Sequence, residues 1–470
     1  MFKPYPTYKY SSVPWLGEVP EHWEVKRNKL FLREVNDRSE DGTEELLTVS
    51  QYTGITKRRA RLANESDLLT NASSLVGYKR VMPGDIIMNI MLSWNGSLGV
   101  SAVEGIASPA YCVFRTKSGI EPRFLHYLLR TSLFTGAFKT VSTGVVDSRL
   151  RLYPDVFFRL PSLIPSLPEQ VAIVRYLDYL DSRISRFIHA KQKLIKLLEE
   201  QKQAIIHRAV TRGLNPNVRF KPSGAEWLGD IPEHWDVVSL RFRYIQCLGK
   251  MLDSKRVLGI HPLPYLRNTD VQWCRINVSD LPEMDIAPYE YERYTIRSGD
   301  LLVCEGGEVG RSAIWSGETG NYGFQKAIHR LRPRSPAHDL PLYLNYVLRL
   351  AAQAGAFNDG HKSTIPHLTG DKLRAHRFPF PNKAEQAAIV RYLDNATSNI
   401  TAAIERAQSE ISLLREYRTR LIADVVTGKV DVREVAARLP DQAEEPEPLD
   451  EATILSDTLE ETEKGEEMEE

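Results

Sequence analysis

The chain has 470 residues, of which 42% are hydrophobic and 26% charged. This composition excludes a disordered or fibrous protein and is typical of a globular protein with roughly two to four domains. Its 61 basic and 61 acidic residues cancel, but fourteen of the acids lie in residues 441–470, beside the single base Lys464. Residues 1–440 therefore carry a net charge of +13, which favours a polyanionic partner.

The cysteines and the N-terminus indicate where the protein works. Neighbouring cysteines are at least 27 residues apart, which fits neither a paired metal site nor a dense disulfide framework. The N-terminal segment lacks the apolar stretch of a signal peptide, and no run approaches the roughly 18 apolar residues that span a membrane. We expect a protein of the reducing cytoplasm with no membrane partner.

Two motifs occur twice along the chain. Residues 15–25 read WLGEVPEHWEV and residues 227–237 read WLGDIPEHWDV, while EQVAIVRYLD at 169–178 returns as EQAAIVRYLD at 385–394. The offsets are 212 and 216 residues, and the segments between the motifs diverge strongly. The sequence therefore predicts two units with constant ends and variable middles, related by a pseudo-two-fold axis.

A long helix is predicted after each EQ motif. Neither Pro nor Gly occurs between Glu169 and Gly213, and apolar residues recur there with the 4-3 spacing of a heptad. Neither helix can bury its stripe alone, so we predict an antiparallel two-helix coiled coil; the alternative is two unrelated surface helices. The stripe residues are Ile173, Leu177, Leu180, Ile184, Phe187, Leu194, Leu198 and Ile205, then Ile389, Leu393, Ala396, Ile400, Ala403, Ala407, Leu414 and Leu421, with polar interruptions at Lys191, Gln201 and Glu410.

The variable regions contain short β-rich runs, many Gly and Pro residues, and one helical stretch each, which predicts mixed α/β domains. The fold class is therefore α+β. The predicted boundaries are 1–166 for the first variable domain with its constant segment, 167–213 for the first long helix, 214–382 for the second variable domain, 383–438 for the second long helix and its end, and 439–470 for an acidic, disordered tail.

No catalytic motif is convincing. Residues 305–312, EGGEVGRS, lack the Gly and the Lys that a phosphate-binding loop needs and are interpreted as a turn between strands. Residues 108–111, SPAY, lack the second Pro of an adenine methyltransferase loop and are interpreted as the start of a strand. Glu200 and Lys202 offer a nuclease-like spacing but are assigned to the solvated face of the long helix, and no zinc-ligand spacing is present.

The two repeated motifs, in this order and around two variable regions at 26–166 and 238–382, resemble the specificity subunit of a type I DNA restriction-modification system. The resemblance covers about residues 1–438 and implies a non-catalytic subunit in which each variable region is a target recognition domain for one half of a bipartite DNA sequence. The long helices would form a spacer between the two half-sites.

The resemblance also implies the partners. These are double-stranded DNA, two methyltransferase subunits and two restriction/translocase subunits. The repeated segments would be the docking surfaces for the partner subunits. The whole system would act in defence against foreign DNA. No cofactor is implied for this chain, because S-adenosylmethionine, ATP and Mg²⁺ serve the partner subunits.

Candidate DNA contacts are basic, amide or aromatic residues in loops of the variable regions, because phosphate contacts position a protein and base contacts specify the sequence. The alternative is solubilising surface charge, or core packing for Trp94. The candidates are Lys57, Arg58, Arg59, Arg61, Trp94, Asn95, Arg149 and Arg151 in the first unit, and Arg267, Asn268, Arg311, His361 and Lys362 in the second. Trp15, Trp23, Trp227 and Trp235 in the repeated motif are assigned to packing.

Three hypotheses remain from the sequence. The first is the type I specificity subunit. The second is a coiled-coil adaptor, which would lack salt-dependent DNA binding. The third is a nuclease with an unrecognised site, which would cleave DNA by itself in the presence of Mg²⁺.

Overall fold

The computed structural model describes residues 3–51, 54–57, 74–145, 150–252, 259–317, 322–357 and 367–440. Six candidate residues lie outside these ranges, as do residues 441–470 of the predicted acidic tail: Arg58, Arg59, Arg61, Arg149, His361 and Lys362. The chain forms two compact units, unit 1 from residues 1–192 with 409–470 and unit 2 from residues 193–408. Within the described ranges, none of the helices has the length and apolar character needed to cross a membrane.

The strands and helices are short except for two. The strands are β1 (Tyr8–Tyr10), β2 (Glu18–Pro20), β3 (Glu24–Arg27), β4 (Leu32–Val35), β5 (Leu47–Ser50), β6 (Gly54–Lys57), β7 (Lys79–Val81), β8 (Ile86–Asn89), β9 (Leu98–Val100), β10 (Gly105–Ala107), β11 (Tyr111–Thr116), β12 (Pro161–Ile164), β13 (Phe220–Pro222), β14 (Asp230–Pro232), β15 (Asp236–Ser239), β16 (Tyr244–Leu248), β17 (Pro262–Leu266), β18 (Val271–Gln272), β19 (Arg275–Ile276), β20 (Glu283–Asp285), β21 (Leu301–Cys304), β22 (Ser312–Ile314), β23 (Gly323–Phe324), β24 (Ile328–Pro333) and β25 (Arg377–Phe380). The helices are α1 (Pro122–Leu129), α2 (Ser132–Val141), α3 (Pro154–Arg159), α4 (Leu167–Arg212), α5 (Tyr291–Tyr294), α6 (Pro341–Gln353), α7 (Gly370–Ala375), α8 (Lys383–Val426) and α9 (Arg433–Ala437).

Unit 1 is built on a four-stranded antiparallel sheet in the order β4-β11-β8-β9. Successive side chains of a strand point to opposite faces, so Cys112 and Phe114 join the core formed with α1 and α2, whereas Val113 joins a second core with Val49 and Val81. Strands β5, β7 and β10 cover that second face. Both faces of the sheet are therefore buried.

Unit 2 repeats the sheet but not its cover. The antiparallel order β16-β24-β21-β22 corresponds to that of unit 1, and α6 packs on the face that contains Leu301 and Val303. The other face, with Leu302 and Cys304, is covered by a different set of strands that includes β17, β18 and β23. The helix-covered face is thus common to both units, and the opposite face is where their architectures differ.

The helices α4 and α8 pair in antiparallel fashion, as predicted. In unit 1, Asp181 forms an ion pair with Arg418, and Nζ of Lys191 lies 2.6 Å from a carboxylate oxygen of Glu410. The residue numbers of α8 therefore decrease along the pair as those of α4 increase. Two of the polar residues that interrupt the predicted stripes, Lys191 and Glu410, are therefore partners.

In unit 2, the side chain of Lys202 in α4 lies against α8. Its Nζ donates to Oγ1 of Thr401 at 2.6 Å, and burial lowers the pKa of its ammonium group. Its assignment to a solvated face was therefore wrong.

The buried stripe of each long helix follows an 11-residue period. Isoleucines recur every eleven residues in both helices, and each is buried or half-buried: Ile173, Ile184, Ile195 and Ile206 in α4, and Ile389, Ile400, Ile411 and Ile422 in α8. An 11-residue repeat is 3.67 residues per turn, close to the 3.6 of a straight helix, whereas a heptad drifts by about 20° per repeat. The heptad prediction was accordingly wrong at Phe187 and Leu194, whose exposed fractions are 52% and 43%.

We expect replacements at the two stripes of α4 to differ sharply in cost. Ile184→Ala should lower the free energy of unfolding by about 2–5 kcal/mol, because it leaves a cavity in the helix pair. Phe187→Ala should change it by about 1 kcal/mol or less, because its side chain is exposed. Urea unfolding of the two variants measures both values, and equal losses would contradict the 11-residue register.

Candidate nucleic-acid interface

In each unit one repeated motif binds the other. The buried carboxylate of Glu169 accepts hydrogen bonds from Nε1 of Trp23 at 3.0 Å and Nε2 of His22 at 2.8 Å. In unit 2, Glu385 accepts from Nε1 of Trp235 at 3.1 Å and from Nε2 of His234 at 2.9 Å. Trp23 and Trp235 are fully buried, while Trp15 and Trp227 are half-buried against the two cores, so the assignment of the four tryptophans to packing is confirmed.

The glutamine of each EQ motif fastens the neighbouring short helix. Gln170 accepts from the backbone N–H of Glu121, just before α1, at 2.8 Å and donates to the Pro165 carbonyl. Gln386 makes the same pair of contacts, accepting from the N–H of Leu340 just before α6. Both glutamines are buried, and an unpaired buried amide would be costly. The starts of α1 and α6 are therefore held in the same way.

A tyrosine–aspartate pair adds a second attachment. The hydroxyl of Tyr127 in α1 donates to Oδ1 of Asp178 in α4 at 2.7 Å, and Tyr346 in α6 donates to Oδ1 of Asp394 in α8 at 2.7 Å. Burial raises the pKa of the Asp178 carboxyl, while the hydrogen bond from Tyr127 opposes that shift. The short helix of each unit is therefore fixed to a long helix at two points.

The repeated segments are presented differently in the two units. In unit 1 the segment that follows α8, residues 427–440, packs over the start of α4. Nη2 of Arg175 donates there to the carbonyls of Leu439 at 2.7 Å and Pro440 at 3.1 Å. This segment is called the C-terminal segment below. Val432 in this segment is fully buried in the core of unit 1. The arginine at the corresponding place in unit 2, Arg391, is exposed. The expected docking surfaces of the two units are thus not identical.

Three loop segments of unit 1 meet beside the β8–β9 connection. Trp94 lies in this connection, is half-buried, and donates from Nε1 to the Met91 carbonyl at 2.9 Å. Nζ of Lys139 in α2 lies 5.0 Å from the Trp94 ring centroid, a cation–π distance. Asn95 is exposed beside it. The connection and α2 therefore place an amide, an aromatic ring and a cation close together.

The segments around Thr143 and Arg151 are joined to each other and to this connection through backbone contacts. Arg151 and Thr143 exchange both of their backbone hydrogen bonds at 3.0 Å, and the N–H of Leu152 donates to the Ile90 carbonyl at 2.8 Å. The exposed Lys57 ends β6, with its Nζ 2.5 Å from a carboxylate oxygen of Glu45. The described candidates Trp94, Asn95 and Arg151 thus come together, and Lys57 forms an exposed ion pair.

Unit 2 has a corresponding edge around the β21–β22 connection. Residues 305–311 form this connection, so the predicted turn between strands is confirmed. Nδ2 of Asn268 donates to the Gly306 carbonyl at 3.1 Å, and Nη2 of Arg311 donates to the Asn268 carbonyl at 2.9 Å. The N–H of Leu368 donates to the Glu305 carbonyl at 2.8 Å and brings in the third segment. Asn268 and Arg311, distant in sequence, are therefore in direct contact.

Two of the predicted base readers of unit 2 are bonded to other groups of the protein. The Nε–Nη2 edge of the Arg267 guanidinium binds the buried Asp270 carboxylate, with both nitrogens at 2.9 Å from its oxygens. This hydrogen bonding raises the pKa of Arg267. Arg311 is only 13% exposed. Arg267 therefore stabilises its own turn and Arg311 joins two segments of unit 2, and the contact of either arginine with bases stays a prediction.

Two residues were missed by the sequence analysis, one in α1 and one directly after its end. His126 and Arg130 lie one turn apart beneath the unit 1 edge, and Nδ1 of His126 accepts from the Val100 N–H at 3.2 Å. Burial lowers the pKa of His126 to about 3, so its imidazole is neutral. The only signal in the sequence is a pair of polar residues at i and i+4 in a helix whose other residues are largely apolar.

Comparison with known proteins is consistent with these observations. Residues 265–413 match the family model for the type I restriction modification DNA specificity domain. The type I restriction enzyme MjaVIII specificity subunit of Methanocaldococcus jannaschii is 22% identical over 428 residues, which cover 88% of this chain and 94% of that protein. The StySPI specificity subunit of Salmonella potsdam is 22% identical over 384 residues, covering 75% and 79%.

The chain is similar to type I restriction enzyme specificity subunits. The resemblance inferred from the repeated motifs is thereby confirmed. A chain in a solved structure concerning complex assembly and conformational transition of the type I R-M system has a TM-score of 0.64 and 18% identity, covering 87% of this chain and 98% of that chain. This likeness supports the fold, including the two-domain arrangement with paired long helices.

We expect the neutral His126 to make unit 1 sensitive to acid. Its pKa is about 3 in the folded chain and 6.5 ordinarily, so between these values the unfolded chain binds a proton that the folded chain does not. The free energy of unfolding should therefore fall as the pH is lowered from 6.5 towards 3. His126→Gln keeps an acceptor and cannot titrate, so urea unfolding at pH 7 and pH 5 should show a smaller fall in this variant. Equal falls in the two proteins would contradict the burial of a neutral His126.

Proposed function

We propose that the chain is the DNA-recognition subunit of a type I restriction-modification system and reads a bipartite target, one half-site with each unit. The observation that carries this proposal is the contrast within each unit. The attachment of the short helix to the long helix is the same in both, while the loop edge beyond it is built from different residues. Two units with the same attachment of the short helix and with different loops suit a target with two different halves.

The long helices fit the role of a spacer. Each contributes residues to both units, and a helix rises 1.5 Å per residue, so its length is fixed. One turn of B-DNA is about 34–36 Å. In dimeric DNA-binding proteins the distance between the two DNA-binding elements matches the distance between the two half-sites. A fixed spacer would therefore require a constant number of unread base pairs between the two half-sites.

The chain in this proposal performs no reaction itself. It directs two methyltransferase subunits and two restriction/translocase subunits to the target, and S-adenosylmethionine, ATP and Mg²⁺ act in those partners. The net charge of +13 over residues 1–440 supports contact with DNA phosphates. The adaptor hypothesis predicts no salt-dependent DNA binding, and the nuclease hypothesis predicts Mg²⁺-dependent cleavage by the isolated chain.

We expect deletion of the gene to remove N6-methyladenine from one bipartite motif in the genome of the source organism. Exchange of residues 26–166 for the corresponding region of another specificity subunit should change one half of that motif and leave the other half and the gap intact. Genome-wide mapping of N6-methyladenine in the three strains measures both outcomes. An unchanged map after deletion, in cells where the methyltransferase is expressed, would count against the proposal.

We expect this chain to copurify with two methyltransferase subunits. Native mass spectrometry of the complex gives the number directly. Because the start of α4 is covered by the C-terminal segment and Arg391 of α8 is exposed, the two subunits should differ in affinity, and a one-to-one complex should appear on dilution before free chain does. A complex without any methyltransferase would favour the adaptor hypothesis.

A further inference from the structure

Arg130 connects two loops of the unit 1 edge. Its Nη1 donates to the carbonyls of Ser50 at 3.2 Å, Gly96 at 3.1 Å and Leu98 at 2.7 Å, and its Nη2 donates to the Gln51 carbonyl at 2.9 Å. Ser50 ends β5 and Gln51 begins the β5–β6 connection, whereas Gly96 lies in the connection that carries Trp94 and Asn95 and Leu98 begins β9. A planar guanidinium with five donors suits a fixed set of acceptors, so one side chain sets the distance between the two loops.

His126, one helical turn earlier, contacts the strands that follow these two loops. Besides accepting from the Val100 N–H in β9, its ring lies against Gly54 and Gly99. A Cβ atom at Gly54, where φ is +78°, would come within 2.9 Å of Cε1 of His126. The His126 ring thus packs directly on the backbone of β6 and β9, which leaves little room for these strands and the loops before them to shift without moving α1.

The corresponding position in unit 2 does the same task with a different residue. Asn345 precedes Tyr346 in α6 as His126 precedes Tyr127 in α1. Its Oδ1 accepts from Oγ of Ser312 in β22 at 2.8 Å, and its Nδ2 donates to Sγ of Cys274 at 3.5 Å. In each unit, therefore, the residue beside the tyrosine that binds the long helix holds the strand that follows the recognition loop.

We propose that His126 and Arg130 in unit 1, and Asn345 in unit 2, are positioning residues that set half-site specificity from beneath the recognition loops. The inference rests on the proposed function. Base readout requires donors and acceptors within hydrogen-bonding distance of base edges, so a loop displaced by about 1 Å loses discrimination while phosphate contacts, which carry no sequence information, persist. The variants should therefore relax one half of the target and keep overall DNA affinity.

The test compares chromosomal Arg130→Met, Arg130→Lys and Asn345→Ala strains by N6-methyladenine mapping, with Arg159→Met as a matched control. Arg159 is exposed and pairs only weakly with the equally exposed Asp155, at 3.5 Å. We expect Arg130→Met to relax one half of the motif, with about tenfold less discrimination at one or more bases, and Asn345→Ala to relax the other half. Arg130→Lys, which keeps the charge and has fewer donors, should relax the same half as Arg130→Met to a smaller extent, and the control should retain the parental motif.

The outcomes separate this inference from the proposed function. Unchanged methylation after gene deletion rejects the proposed function itself. A motif that disappears on deletion but stays sharp in both Arg130 variants overturns the inference alone. Should Arg130→Met remove the chain from the cell, Arg130→Lys decides: relaxation of one half supports the inference, and a uniform loss of methylation with both halves sharp indicates only a structural role and overturns it.

Discussion

The hydrogen-bonded carboxylate at the start of each long helix, buried at Glu169 and partly exposed at Glu385, is the constraint on which the rest of each unit depends. Glu169 joins residues that are almost 150 positions away in the chain, because it binds the indole of Trp23 and the imidazole of His22. An ionised carboxylate in a buried site is costly unless its oxygens are hydrogen-bonded, so alternative packings of the EHW segment are strongly disfavoured. Glu385 imposes the same geometry on unit 2.

This constraint explains why the two copies agree in some segments and diverge in others. The EHW and EQ motifs, with α1 or α6, build the face of the sheet that contains Phe114 in unit 1 and Val303 in unit 2. The opposite face is covered by different sets of strands in the two units. The loops beside that face contact neighbouring segments of their own unit rather than the repeated motifs. The same attachment of the short helix to the long helix can therefore support two different sets of loops.

The edges themselves are more internally bonded than a set of surface charges would be. Arg267 is bound to Asp270, Arg311 to the Asn268 backbone, and Arg130 to four carbonyls. Side chains that are already ordered lose less conformational entropy when a ligand binds. The exposed groups beside them, such as Asn95, are then presented from loops whose backbone is fixed by arginines rather than by regular secondary structure.

The sequence by itself determined the duplication, the two long helices and their antiparallel pairing, and the relationship to type I specificity subunits. These features follow from repeated motifs and from apolar periodicity, which are local signals. Only the tertiary structure decided the phase of the helix stripe, because Phe187 and Leu194 fit a heptad as well as their buried neighbours fit an 11-residue period. It also decided which cations hold the loops, because the partners of Arg130, Arg311 and Lys202 come from segments distant in the chain, and no local pattern encodes such contacts.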